Sequence, residues 1–279
     1  MLGNCLDHVR KSAPLVHNIT NYVTVNDVAN ILLACGGSPI MSDEPEDVED
    51  ITSICGGLNI NIGTLNQRSI EGMHRAGRKA ADLGHTILLD PVGAGASALR
   101  TRTAVELMHE IPFTVIRGNI SEIKTLALGS GTTKGVDADV ADAVTEANLD
   151  AAVAFVKDFA AKSRAIVAIT GAIDLVSDGR QCYIIRNGRP EMGKVTGTGC
   201  QLSGMMTAFV TANPENREKG PYPRSIPAPS AVAPFTQGKT IEGHIGLATI
   251  NKGIQTVTMS FCPMTTAPPA SPKKSLREW

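Results

Sequence analysis

The segment Val195-Thr-Gly-Thr-Gly-Cys200 sets two glycines and a thiol directly ahead of an apolar stretch, CQLSGMMTAF. A glycine turn that runs into a helix leaves the first N–H groups of that helix without intrahelical partners, at the positive end of its dipole. Gly197 and Gly199 carry no Cβ, so their backbone can come close to an anion. Gly197, Thr198 and Gly199 are therefore a candidate anion hole that can hold phosphate oxygens while charge moves in a transition state. Cys200 falls in the same turn, where a thiolate is favoured. A sulfur there can take the proton of an attacking hydroxyl. The competing reading is a buried cysteine at a tightly packed glycine turn, and the local sequence leaves both open.

Three further turns carry polar or glycine-rich residues at the ends of apolar runs. Asp90 ends TILLD and is followed by PVGAGAS. It can hold Mg²⁺, directly or through water, because a hard cation takes oxygen ligands; it can equally cap the turn. Arg117-Gly-Asn-Ile-Ser-Glu122 offers a cation, an amide and a carboxylate within one turn of a helix start. Arg117 can neutralise phosphate oxygens, and Glu122, three residues after Asn119, fits a capping box as well as a functional acid. Thr170-Gly171 ends AIVAIT. Ahead of the first helix read from the pattern, His17, Asn18, Thr20 and Asn21 in LVHNITN can line a pocket or cap that helix. Met41, Met73, Met205 and Met206 read as core by residue type.

The elements that must position these residues alternate. NDVANILLACGG reads as a helix closed by glycine, SPIM as a short strand and LNINIG as a strand. A helix follows from an Asn66 N-cap to a stop at Gly84. TILLD, FTVIRG and AIVAIT are strands, with helices over LRTRTAVELMHE, NISEIKTLAL and NLDAAVAFVKDFAAKS. Repeated β-α units predict an α/β fold with a mostly parallel sheet covered on both faces. AIDLVSDG and QCYIIRNG break the rhythm and predict antiparallel edge strands with tight turns, Asn187-Gly188 being a hairpin signal. In open parallel sheets ligands bind beyond the carboxyl ends of the strands, where the four turns fall.

Composition narrows the classes. The 279 residues include 42% apolar and 19% charged side chains, with a formal net charge of −1 and no long run of one sign. Neither nucleic acid nor an acidic membrane is expected as partner. No apolar stretch is long enough to span a bilayer, and the opening residues carry charges where a signal peptide would be apolar. The cysteines at 5, 35, 55, 182, 200 and 262 form no C-x-x-C pair. Reduced thiols and a cytoplasmic location are expected.

LVHNITNYVTVNDVANILLACGGSPIM, LNINIGTLN, ILLDPVGAGAS, IRGNISEI, VAITGAIDLVSDG and VTGTGCQLSG, in this order and spacing, resemble the hydroxyethylthiazole kinase family over roughly residues 5–212. The resemblance implies a ribokinase-like fold and ATP- and Mg²⁺-dependent phosphorylation of the primary alcohol of 4-methyl-5-(2-hydroxyethyl)thiazole in thiamine salvage. By motif match it implies that Met41 and Gly197 contact the thiazole, that Asn21 lies near it, and that Arg117 and Thr170 contact ATP. Asp90 and Glu122 match the acidic positions associated with Mg²⁺. Cys200 matches the position where many ribokinase-like relatives carry an aspartate base. A homotrimer with substrate pockets between subunits is implied as well.

Other readings keep part of this pattern. A hydroxymethylpyrimidine or pyridoxal kinase would share the fold, but LVHNITN and SPIM match the thiazole family better. A dinucleotide-binding oxidoreductase would need the third glycine of G-x-G-x-x-G, which PVGAGAS lacks. The C-terminal part departs from the family: nine of the sixteen prolines lie between Pro221 and Pro272. Residues 1–218 are thus expected to form the kinase domain. Residues 219–279 are expected to form a proline-rich segment, poorly ordered or altered relative to the family. GHIGLATINKGIQTVTMSF is the one part of it that reads as holding a strand. A folded binding protein without turnover is the reading that this segment supports.

Overall fold

A computed structural model describes residues 2–129, 143–186, 192, 194–214, 247–250 and 257–260. The chain opens with helix α1 (Leu2–Ser12) and strand β1 (Leu15–Ile19), followed by α2 (Val25–Cys35), β2 (Ser38–Met41) and α3 (Val48–Ile54). Next come β3 (Gly57–Asn61), α4 (Gln67–Asp82), β4 (Thr86–Asp90), α5 (Ala98–Glu110), β5 (Val115–Gly118) and α6 (Ile120–Gly129). A 3₁₀ turn at Glu146–Asn148 leads into α7 (Leu149–Ser163), then β6 (Ile166–Ile169), β7 (Ile173–Ser177), β8 (Cys182–Arg186) and α8 (Thr198–Ala212).

One eight-stranded sheet runs in the order β2-β1-β3-β4-β5-β6-β7-β8. Strands β1 to β6 pair in parallel, and β7 and β8 add antiparallel at one edge. The mixed α/β architecture is the one the β-α rhythm predicts. The β7–β8 turn is Asp178-Gly179-Arg180-Gln181, with the Asp178 carboxylate accepting the Arg180 and Gln181 N–H groups. Asn187-Gly188 lies outside the described residues. So does segment 219–279, apart from an antiparallel pair, β9 (Leu247–Ile250) with β10 (Val257–Ser260). That pair falls within the stretch read as strand-forming.

Alternation along the strands sends side chains to two cores. Leu58, Ile60, Ile87, Leu89, Ile116, Val167 and Ile169 face one layer of helices, with Met73 of α4, Leu107 of α5, Ile123 of α6 and Phe159 of α7. Leu88, Val115, Ile166 and Ala168 face the other, with Val9 of α1, Ile31 of α2 and Met205, Met206 and Phe209 of α8. Each such side chain, fully withdrawn from water, contributes roughly 1.5–3 kcal/mol. Helix α8 is buried at ten of its fifteen residues. Its small residues allow that depth: a Cβ on Gly204 would touch Val28 of α2, and one on Gly57 of β3 would collide with Thr211.

Local chemistry sets the helix ends. Asn66 caps α4 by accepting the Ser69 N–H at 2.9 Å, and the Ser69 hydroxyl accepts the Asn66 N–H at 3.0 Å. Gly36 closes α2 at φ +95°, in the left-handed region that glycine enters without strain. Strand β1 and helices α1 and α3 are the elements the residue pattern does not announce. Polar His17 and Asn18 interrupt β1 although both are buried.

Gly77 of α4 sits against Ile111, the residue after α5, and an added Cβ would overlap the Ile111 side chain. Ile111 is only 2% exposed, so it has little room to move. Gly77→Ala is expected to destabilise: overpacking costs about 1–3 kcal/mol, against about 1 kcal/mol gained in helix propensity. Ile111→Val removes the overlapping methyl at a cost of about 1 kcal/mol by itself. The double variant should be more stable in urea titration than the sum of the two losses. Strict additivity would reject the contact.

Candidate active site

The carboxyl ends of β1, β3, β4 and β5 gather at the N-terminal part of α8, and Thr170, after β6, joins them through Arg117. On the α8 face of the sheet, alternation places Asn18 of β1, Asn59 and Asn61 of β3 and Asp90 of β4, all 0–1% exposed. The neighbours β2 and β3 lie on opposite sides of β1, so this is a topological switch point, where open α/β sheets bind ligands.

Asp90 is wholly buried. Its Oδ2 accepts from Asn61 Nδ2 at 2.9 Å and from the Ser203 hydroxyl of α8 at 2.8 Å. Arg117 Nη1 lies 3.4 Å from both of its oxygens. Burial pushes the Asp90 carboxyl above the usual range, while Arg117 and then Ser203 pull it back. Arg117 also donates from Nη2 to the Thr170 hydroxyl at 2.6 Å. Its Nε is buried without a hydrogen-bond partner.

The glycine turn accommodates that guanidinium. Gly197 is the N-cap of α8 at φ +85°, and a Cβ there would run into Thr24. A Cβ on Gly199 would stand 2.6 Å from Arg117 Nη1 and 2.7 Å from Nη2. The absent side chain at 199 is what lets the cation lie against the start of α8. Thr198 and Cys200 complete the turn, and Cys200 is 8% exposed. Asn21 Nδ2 donates to Cys200 Sγ at 3.2 Å. Met41, at the end of β2, packs on the apolar cluster of Val16, Val28, Leu32, Cys200 and Ala208. Met41, Asn21, Gly197 and Cys200 thus border one locality, with Arg117, Thr170 and Asp90 beyond it.

Glu122 closes the far side. Its Oε2 accepts the Asn119 N–H at 2.8 Å, and the Glu122 N–H donates to Asn119 Oδ1 at 2.8 Å. This is the capping box that the spacing permits. Its Oε1 accepts the Gly93 N–H at 2.8 Å, so the same carboxylate fastens the PVGAG turn to the start of α6. Among the described residues no group of three or more His, Cys, Asp or Glu side chains could hold a metal ion. The donor set of Asp90 and Glu122 is oxygen alone, which suits a hard cation carried in on phosphates and keeping most of its water.

His17 is a structural neighbour of the site. Its Nε2 is 2.9 Å from the Ser42 carbonyl oxygen, which can only accept, so Nε2 carries the proton and Nδ1 accepts from the Thr52 hydroxyl at 2.9 Å. Burial lowers its pKa and keeps the ring neutral. The ring joins β1 to the residue after Met41. Thr20 and Asn18 sit close by, with Asn18 accepting from Asn59 at 3.1 Å.

Asn61, Ser203 and Asp174 do not stand out by residue type. The signal for Asn61 is the alternation Asn59-Ile-Asn61 in a strand buried at every position. For Ser203 it is the helical spacing from Gly199. Asp174 of β7 accepts the Gly171 N–H at 2.8 Å and so shapes the turn carrying Thr170.

Burial pushes the Asp174 carboxyl up to about 6, against the pull of the Gly171 N–H and Arg117. An unfolded aspartate titrates near about 3.9, so the native state binds this proton more tightly. The stability this confers is present below about pH 4 and is lost as pH rises through about 6. Asp174→Asn keeps an acceptor for Gly171 and removes the charge. It should gain about 1–3 kcal/mol over the parent at pH 8, with the gain vanishing near pH 4. Denaturant titrations at the two pH values check this; a pH-independent difference would reject the assignment.

Comparison with known proteins places the chain in a family. The model of the hydroxyethylthiazole kinase family matches residues 6–221. A hydroxyethylthiazole kinase of Clostridium acetobutylicum is 61% identical over 213 residues, 76% of this chain and 78% of that protein. One from Clostridium beijerinckii is 50% identical over 211 residues, 76% of each. The solved structure of the hydroxyethylthiazole kinase protein from Pyrococcus horikoshii superposes with a TM-score of 0.70 at 35% identity, covering 84% of this chain and 82% of that one. The fold is ribokinase-like. A family match that takes in every turn of the site, together with a relative sharing three residues in five, makes this chain a member of the hydroxyethylthiazole kinase family.

Proposed function

We propose that the protein transfers the γ-phosphoryl group of ATP to the primary alcohol of 4-methyl-5-(2-hydroxyethyl)thiazole, a salvage step toward thiamine. The observation that carries the reading is the meeting of Cys200, in the first turn of α8, with the Arg117 guanidinium lying against Gly199 of that turn. A proton acceptor and a phosphate-neutralising cation share one helix start.

Phosphoryl transfer asks the protein mainly for position and for charge stabilisation. Met41 and Gly197 hold the thiazole alcohol with Asn21 beside it, and Arg117 and Thr170 hold the nucleotide. The N–H groups of Gly197, Thr198 and Gly199 receive phosphoryl oxygens as charge builds on them. The alcohol oxygen bonds to the γ-phosphorus as the bond from that phosphorus to the β,γ-bridging oxygen breaks. The hydroxyl proton passes to the Cys200 sulfur, and ADP leaves. Asp90 and Glu122 would hold Mg²⁺ through its water; when bound, that ion neutralises charge on the phosphates.

A homotrimer completes the substrate pocket in this reading. Tyr22 and Val23, next to Asn21, are 62% and 67% exposed, and Val195 precedes the glycine turn at 38%. Apolar side chains so placed at a site mouth suit cover by a second copy. The proposed location is the cytoplasm, in keeping with the absence, among the described residues, of a helix long and apolar enough to cross a membrane.

The test is ADP release by the full chain with and without the thiazole alcohol. Release that depends on the alcohol is expected. Binding of the alcohol by calorimetry with no ADP release would overturn the proposal in favour of a binding protein. Cys200→Ala should lower kcat by about 10²–10³-fold and change KM much less, because the proton acceptor acts in the transition state. Cys200→Asp should retain activity, a carboxylate being able to take the same proton; an inactive Asp variant would argue against the proton-accepting role.

A further inference from the structure

Two buried amides link the proton-accepting sulfur to the buried carboxylate of the phosphate side. Asn61, the last residue of β3, is 1% exposed, and Asn21, two residues past β1, is 5% exposed. Asn61 Nδ2 donates to Asp90 Oδ2 at 2.9 Å. Asn61 Oδ1 accepts from Asn21 Nδ2 at 3.1 Å and from the Gly63 N–H at 2.9 Å. Asn21 Oδ1 accepts from the Thr24 N–H at 3.1 Å and the Thr24 hydroxyl at 3.0 Å. Asn21 Nδ2 then has its second proton for Cys200 Sγ at 3.2 Å.

The partners leave no freedom in how these amides point. Turning Asn61 over would set its NH2 against the Gly63 N–H and the Asn21 NH2, and its oxygen against the Asp90 carboxylate. Turning Asn21 over would set its NH2 against the Thr24 N–H. Each flip buries unpaired donors, which is costly away from water. The direction of the chain therefore starts at Asp90, which accepts, and ends at the sulfur, which is given a donor. Space for it is reserved as well: a Cβ on Gly63 would stand 2.9 Å from Asn21 Cβ and 3.0 Å from Asn61 Oδ1.

We propose that Asn61 is a positioning residue for the transfer: it fixes the Asn21 amide so that its N–H faces Cys200 Sγ, and ties that contact to Asp90. Asn61 has no exposed surface with which to meet the thiazole itself, and its effect runs through Asn21. A sulfur given a fixed N–H donor is held in one place relative to an incoming hydroxyl. The same link keeps it in register with Arg117, which Asp90 pairs. The inference rests on the kinase reading of the site.

The test has two arms. In the nucleotide-free protein, carbamidomethylation of Cys200 by iodoacetamide is followed on its own peptide by mass spectrometry. Asn61→Ala and Asn21→Ala should each change the rate about fivefold in the same direction. The double variant should go no further than Asn21→Ala, since one contact is being broken twice. Rates unaltered by Asn61→Ala, or effects that multiply in the double variant, would overturn the proposal whether or not the wild type turns over. In the second arm, Asn61→Ala should lower kcat about tenfold with KM for the alcohol nearly unchanged; a rise in KM alone would also overturn it. Wild type without turnover would overturn the kinase reading instead, with the alkylation arm still deciding the role of Asn61. Asn61→Leu, which keeps the side-chain volume and removes the acceptor for Asn21, provides the same comparisons should the alanine variant fail to fold.

Discussion

A carboxylate with no solvent contact needs partners, and the site is organised by how Asp90 obtains them. Arg117 approaches from β5, Ser203 from α8 and Asn61 from β3. An unpaired charge at this depth would cost several kcal/mol, so the three elements are drawn to one point and hold one another there. Arg117 in turn needs Gly199 to be bare, which fixes where the glycine turn can lie. The position of the proposed anion hole is in this sense a consequence of how one buried charge is satisfied.

The rest of the site is held by carboxylates and amides that do two things at once. Glu122 caps α6 and ties down the PVGAG turn. Asp174 shapes the turn of Thr170 and faces the charge of Arg117. His17, neutral and doubly bonded, sets the end of β2 beside β1. Backbone turns that receive phosphate oxygens work only if they are already in place, because ordering them during the reaction would cost much of what they contribute.

Much of the architecture could be read from residue order. Apolar runs of strand length alternating with capped helices predict the parallel sheet, and Asn66 and Gly36 mark helix ends where the sequence puts them. Strand β1 was hidden because His17 and Asn18 look like loop residues; their burial depends on Thr52, Ser42 and Asn59, which come from distant positions. Of the site, Asp90, Arg117 and Thr170 stand out by type and by place at strand ends, and Cys200 and Glu122 by type in the first turn of a helix. Asn61 and Ser203 do not, since their importance lies in a partner found only when β3 and α8 pack on β4. The family match ends at residue 221, within the first residues of segment 219–279, which composition marks as proline-rich.

Helix α8 is both the wall of the core and the bearer of the glycine turn proposed to react. Its C-terminal half presses Met205, Met206 and Phe209 into the sheet, while its first turn presents Gly197 to Cys200. In many enzymes the reactive groups ride on peripheral loops that can loosen while the body stays folded. Here no such uncoupling is available. Heating that loosens the core would displace the Cys200 thiol and the N–H groups of the glycine turn together, so in the proposed reading loss of turnover and cooperative melting would be one event. Tighter packing of α8 would hold that turn in place, and slack for a wider proposed pocket lies on the β2 side, around Met41.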